Sequence, residues 1–234
     1  MAAEKAKGNN FSEHQILRVA SKVCSISPGD ILLIGGALAL PEVAGYKRLR
    51  NRSDDVDCVV SDAGLEQITE MLSLRRECEI KPTKGEGCYF AQMDGMTVAF
   101  FHRDLRGYAL TPDMFEESLI RKTTHGTVSI IRPELNIALK IRRGISKGKI
   151  YGKDGKDFAT IALGMERQGE HFSAERLREY LARGVCQICN FGVPVHCMKT
   201  FEKYIMDIPK PDRAVFMPIV NECKISLESQ CSYS

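Results

Sequence analysis

No run of apolar residues in this 234-residue sequence approaches the roughly 20 needed to cross a lipid bilayer, so no membrane partner is expected. Residues Met1 to Asn10 are polar and mixed in charge, without the apolar stretch of a secretory signal, which points to a cytoplasmic location. The net charge is only +3, too small by itself to imply nucleic acid. There is no Gly-x-Ser-x-Gly elbow, and His125 and His171 lack a neighbouring nucleophile with an orienting partner, so hydrolase chemistry finds no support. Internal repeats and low-complexity tracts are missing too. Tyr46, Tyr108 and Tyr151 are too scattered to build a base-stacking platform. Nine cysteines, an odd number without a signal segment, read as free thiols of a reducing compartment; Cys24, Cys58 and Cys88 sit in apolar segments and should simply pack.

What is present suits an ordinary globular protein. The chain is long enough to bury a core as one large domain or two small ones. Ser12 with Gln15 forms a capping-box pattern, and Ile16, Val19, Ala20 and Val23 follow at helical spacing, stopping before Pro28-Gly29. Ile31 to Ile34 predicts a buried strand, 37–44 a helix kinked at Pro41, Val56 to Ser61 a second strand, and Leu65 to Leu72 a helix. Glu86 to Met93 and Met96 to His102 flank Asp94-Gly95, a strong hairpin signal. Val128 to Ile131 predicts a further strand. Beyond Pro133 the pattern is helical: Leu135 to Ile141, a Gly- and Lys-rich connection from Gly144 to Gly155, then 157–165, 174–183 and 195–206. The expected fold class is α+β, a small mixed sheet flanked by helices with a helical C-terminal part, divided as 1–132 and 133–234.

The chemistry starts from Asp55 and Asp57. Residues i and i+2 of a strand face the same side, so the two carboxylates stand together, and a divalent cation relieves their repulsion. Ile31 to Ile34 runs straight into Gly35-Gly36, where a strand hands over to a helix and backbone N–H groups can approach a phosphate. Basic residues precede the acids (Lys47, Arg48, Arg50, Arg52), and a second basic stretch follows later (Lys140, Arg142, Arg143, Lys147, Lys149, Lys153, Lys156). Such clusters are as often solvated faces as phosphate sites.

In that order, Gly35-Gly36-Ala37-Leu38-Ala39-Leu40 and then Arg52-Ser53-Asp54-Asp55-Val56-Asp57 resemble the signature of the DNA polymerase β-like nucleotidyltransferase superfamily. Within it they are most similar to the toxin-type nucleotidyltransferases of bacterial abortive-infection systems. Leu139-Lys140 and Lys156-Asp157-Phe158 resemble the second motif, and the likeness spans about residues 31 to 164. The resemblance implies a nucleotidyltransferase core and transfer of a nucleotidyl group from an NTP to a hydroxyl. The acceptor it leaves open: RNA, a protein side chain or a small molecule. It implies Asp55 and Asp57 as catalytic ligands of Mg2+ (or Mn2+), with Gly35, Gly36 and Ser53 on the triphosphate. Arg52 or Lys140 would neutralise charge, and Asp157 would orient Lys140 or the acceptor.

Two departures stand out. The superfamily places a third carboxylate on the strand here matched by Met96 to His102, and Ala99 occupies the expected position; His102 or Asp104 at the strand end are the substitutes. Thr160 stands where an acid three residues after Asp157 is typical. Both departures leave a catalytically degenerate module that binds nucleotide, RNA or a protein partner as the alternative. Cys186, Cys189, His196 and Cys197 contain zinc-type donors, but their spacing is short and Pro194 constrains the loop, so they read as packing thiols. Gly144 to Ile150 lacks the spacing and the Ser or Thr of a P-loop. Oligomeric state leaves no mark on the sequence.

Overall fold

The computed structural model describes residues 11–47, 49, 55–74, 81–82, 88–103, 110–147, 152–184, 199, 201 and 208–231. Helix α1 (Glu13–Cys24) opens on the expected capping box: Ser12 Oγ accepts the Gln15 N–H and the Gln15 side chain accepts the Ser12 N–H at 2.8 Å. Its buried face (Ile16, Leu17, Val19, Ala20, Val23) lies across the centre of the sheet. Strand β1 (Ile31–Ile34) is buried along its whole length, as its four apolar side chains require.

Strand β2 (Asp55–Val60) runs antiparallel to β1 and parallel to β5 (Met96–His102). Parallel neighbours need a crossover, in which helix α3 (Asp62–Leu74) takes part. Strand β3 (Lys81–Pro82) borders β4 (Cys88–Met93), and β4 turns into β5 through Asp94 and Gly95, both at positive φ (51° and 77°) as a type I′ turn demands. After helix α4 (Pro112–Glu116), strands β6 (Leu119–Thr123) and β7 (Gly126–Ile130) form a second hairpin. Among the described residues the sheet has seven strands in the order β3-β4-β5-β2-β1-β7-β6. Helices α5 (Pro133–Lys147), α6 (Gly152–Arg167), α7 (Ala174–Gly184) and α8 (Lys210–Cys231) follow. The fold is α+β with a mixed sheet and a helical C-terminal part, as the periodicities indicate. Among the described residues no helix is long and apolar enough to cross a membrane.

Several local expectations are corrected. Pro41 does not kink a helix; it opens a new one. Residues Gly35–Ala39 make a 3-10 turn, and α2 (Pro41–Ala44) begins with proline at its first position, where the missing N–H costs nothing. The supposed connection from Gly144 to Gly155 is largely helical, because α5 continues to Lys147 and α6 starts at Gly152. Strand β6 escaped notice because Leu-Ile-Arg-Lys-Thr is a mostly polar edge strand with Ile120 exposed. Helix α8 was also missed, and it carries Pro218 inside. The helix expected at 195–206 lies mostly outside the described residues.

Helix α6 is held at both ends. Near its start Phe158 packs against Phe172, Phe201 and Phe216, with ring centroids 5.1, 5.8 and 5.1 Å away. Towards its end Gly164 lets the end of α2 come so close that an added Cβ would sit 1.7 Å from the Ala44 carbonyl oxygen. That neighbour is backbone and cannot swing aside. Gly164→Ala is therefore expected to cost about 3 kcal/mol and to lower Tm by about 6–12 °C in a thermal melt. A melt within about 2 °C of wild type would show that the two helices do not meet there.

Candidate active site

Ile34 pairs directly with Asp57, so the end of β1 and the start of β2 share one end of the sheet. Val56 is fully buried, while Asp55 is exposed and Asp57 half-buried, as alternation along a strand requires. Gly35, next after Ile34, takes φ +70°, and a Cβ there would stand 3.0 Å from Asp57 Oδ2. The carboxylate thus lies against the glycine corner. Only glycine combines that backbone with such a close approach.

The corner is braced from α5 by a residue that sequence reasoning missed. Asn136 is 1% exposed. Its Oδ1 accepts the Gly35 N–H at 2.7 Å and its Nδ2 donates to the Gly35 carbonyl at 3.2 Å. The Gly35 N–H, expected on a phosphate, is thus given to Asn136, and Gly35 serves by its conformation. Gly36 lies in the first turn of the 3-10 segment, where N–H groups have no partner within the helix. The only sequence signal for Asn136 was a polar residue on the apolar face of α5, four positions before Lys140.

Lys140 is buried, and its Nζ donates to Asp157 Oδ2 at 2.8 Å and to Asp154 Oδ1 at 3.2 Å. Asp157 is 0% and Asp154 1% exposed, and Arg143 reaches Asp154 Oδ1 at 2.7 Å. Lys140 and Arg143, three residues apart, share one face of α5; Asp154 and Asp157 share one face of α6. A second acid one turn from Asp157 is therefore present, one turn before it rather than after, and Lys153-Asp154 precedes it. Thr160 is used differently. Its hydroxyl donates to the Lys156 carbonyl at 2.8 Å and accepts the Leu49 N–H at 3.4 Å, tying α6 to the segment after α2. The later basic stretch is only partly a solvated face. Lys140 and Arg142 are buried, and Arg142 bonds the Tyr180 carbonyl from the opposite side of α5, where burial lowers its pKa to about 10.

The two halves of the site are electrostatically joined. Burial, and then the charge of Asp55, raise the Asp57 pKa from 3.8 to about 6, against the opposing pull of Lys140, Arg143 and Lys153. A carboxylate pair of this kind could hold Mg2+ or Mn2+. Among the described residues no group of three or more His, Cys, Asp or Glu gathers as a cation cage.

Because the folded-state pKa of Asp57 exceeds the unfolded value, its proton-linked stabilisation is complete below pH 3.8 and lost as pH rises through about 6. Asp57→Asn removes that loss. At neutral pH and without metal it is expected to be about 1–3 kcal/mol more stable than wild type, the gap closing towards pH 4. Urea titrations across that range measure it; an equal or less stable Asp57→Asn protein at neutral pH would mean the site is not electrostatically strained.

Arg52 and Ser53 lie outside the described residues, as do Asp104, Cys186, Cys189, His196 and Cys197. Ala99 stands opposite Asp57 in the parallel register of β2 and β5, so no third acid occupies that position. His102 is not its replacement. It pairs with Val60, three residues further along β2 and so roughly 10 Å from Asp57, and its Nε2 lies 2.7 Å from Asp62 Oδ1. Site residues come from both sides of position 132.

No family model matches the sequence, and no curated protein matches it. Among solved structures the chain is similar to an antigenic nucleotidyltransferase-like protein from Paracoccidioides brasiliensis, with TM-score 0.41 and 17% identity over 64% of this chain and 74% of that one. It is similar to the antibiotic-resistance factor ANT(2'')-Ia, with TM-score 0.46 and 14% identity over 76% and 95%. The similarity to JHP933 from Helicobacter pylori has TM-score 0.42 and 15% identity over 93% and 90%.

Proposed function

We propose that this protein is a metal-dependent nucleotidyltransferase of the toxin type, which moves a nucleotidyl group from an NTP to a hydroxyl acceptor, RNA being the acceptor class preferred. One observation carries the reading: Asp57 rests against the positive-φ Gly35 corner, with Asp55 beside it on the same strand face. The oxygen of an acceptor hydroxyl, its proton passing to solvent, would bond to the α-phosphorus while the bond from phosphorus to the β-phosphate bridging oxygen breaks, releasing pyrophosphate. Mg2+ (or Mn2+) bound by Asp55 and Asp57 would supply charge neutralisation at the phosphate oxygens. The 3-10 turn Gly35–Ala39 would offer its backbone N–H groups from Gly36 onward to the triphosphate, with Arg52 and Ser53 proposed beside them. Lys140, held by Asp154 and Asp157, supplies fixed positive charge within electrostatic range of Asp57.

Ala99 opposite Asp57 favours a second reading, a module that binds NTP without turnover. Incubating the full chain with each α-labelled NTP, Mg2+ or Mn2+, and total RNA separates them. Label that enters RNA and is lost in the Asp55→Ala/Asp57→Ala protein supports transfer. Bound nucleotide that never transfers to RNA, protein or small hydroxyl compounds supports the binder. A wild-type protein that binds no NTP at all defeats both.

A further inference from the structure

Resting on the transferase reading, we propose that Asn136 is a positioning residue for the triphosphate: its side-chain amide holds the glycine corner in an anion-receptive shape and couples it rigidly to Lys140. A residue that both donates its N–H and offers its carbonyl to the same partner has the geometry of a hydrogen-bonded pair in an antiparallel ladder. Gly35 does this with Asn136. The Asn136 amide plays the part of a neighbouring peptide for Gly35, one residue beyond the last pairing of β1 with β2 at Ile34 and Asp57. That pairing keeps Gly35 at φ +70°, against Asp57 Oδ2, as the first residue of the 3-10 turn Gly35–Ala39.

Burying a primary amide is costly unless its donor and acceptor are both used. Here both ends bond Gly35, and the residue is 1% exposed, which keeps it from the substrate. Asn136 therefore acts through the corner and touches no reacting atom. It sits four residues before Lys140 on α5, hence on the same helix face. One helix thereby sets the distance between the N–H groups of the turn and the Lys140 ammonium, the two kinds of positive charge that a triphosphate would meet. An aliphatic residue would satisfy α5 packing but leave the Gly35 N–H and carbonyl without these two partners, so the amide is matched to the corner.

The test uses the full chain with Asn136→Leu, which keeps the branched shape without hydrogen bonding, and Asn136→Ser, smaller and polar, as the second variant should leucine fail to fold. Inorganic tripolyphosphate with Mn2+ is the probe, and Mn2+ alone the control, both measured well below each protein's Tm. The expected result is tripolyphosphate affinity reduced about tenfold or more with Mn2+ binding unchanged, and amide exchange at 35–37 accelerated by a similar factor. Unchanged exchange and tripolyphosphate affinity within about twofold of wild type would overturn the proposal, since a tenfold change is what one lost hydrogen bond produces. Failure of the wild-type protein itself to bind tripolyphosphate would instead defeat the transferase reading, and this inference with it.

Discussion

Replacing Asp55 and Asp57 together by alanine is expected to abolish nucleotidyl incorporation, a loss of roughly a thousandfold or more, while leaving the protein at least as stable as wild type. The two halves of that expectation come from the same geometry. Two carboxylates on one strand face, one of them half-buried with its pKa pushed to about 6, repel each other and resist desolvation in the free protein. On the proposed function, a ligand that brings positive charge relieves that cost. Single Asp→Asn changes should each lose most of the activity, because each removes one of the two carboxylates proposed to hold the cation. The measurement is incorporation of label from α-labelled NTP beside a thermal melt of each variant. Full activity in the double variant would remove the carboxylates from the mechanism, and collapse of the fold would recast them as structural.

The second large effect belongs to Lys140. Its ammonium lies among buried groups, 2.8 Å from Asp157 Oδ2 and 3.2 Å from Asp154 Oδ1, with both acids essentially inaccessible to solvent. Removing one member of such a group leaves uncompensated buried charge. Lys140→Met is expected to cost about 3–5 kcal/mol and lower Tm by about 6–20 °C. Asp154 keeps Arg143, so the damage should centre on Asp157. Adding Asp157→Asn to Lys140→Met should therefore recover much of the stability without recovering triphosphate binding. That non-additivity distinguishes a buried ion cluster from ordinary helix packing. A Lys140→Met protein that melts within about 2 °C of wild type would contradict the buried pairing.

Much of the site could be read from local pattern. Alternation along β2 put Asp55 and Asp57 on one face, and four apolar residues running into Gly35-Gly36 marked the strand end. Both depend on neighbours a few residues apart, where backbone geometry alone dictates direction. Asp154 and Asn136 were not legible in the same way. A helix shows which residues share a face, but not which face meets another helix. The acid that completes the pair with Asp157 was sought three residues downstream, at Thr160, when it lies three upstream; either position satisfies the helical period. Only the packing of α6 against α5 chooses between them, by bringing Asp154 and Asp157 together onto Lys140.

Strand β6 and helix α8 were missed for different reasons. β6 is an edge strand that exposes Ile120 and half-buries Arg121 and Thr123, so it lacks the apolar alternation that identifies its partners. Proline at position 218 argues against a continuous helix, yet α8 runs through it, with Phe216, Ile219, Val220 and Cys223 buried on the inner side.

The sequence alone determined the α+β class, the hairpin at Asp94-Gly95, the capped first helix and the pairing of two aspartates on one strand face, because short-range sterics and side-chain period decide these. Tertiary structure decided that Asp57 lies against Gly35, that Asn136 occupies the Gly35 peptide, that Lys140 is shared between Asp154 and Asp157, and that Ala99 faces Asp57. Those contacts join segments up to about a hundred residues apart. No local propensity encodes them; they follow from burying the apolar faces of β1, α5 and α6 in a single core.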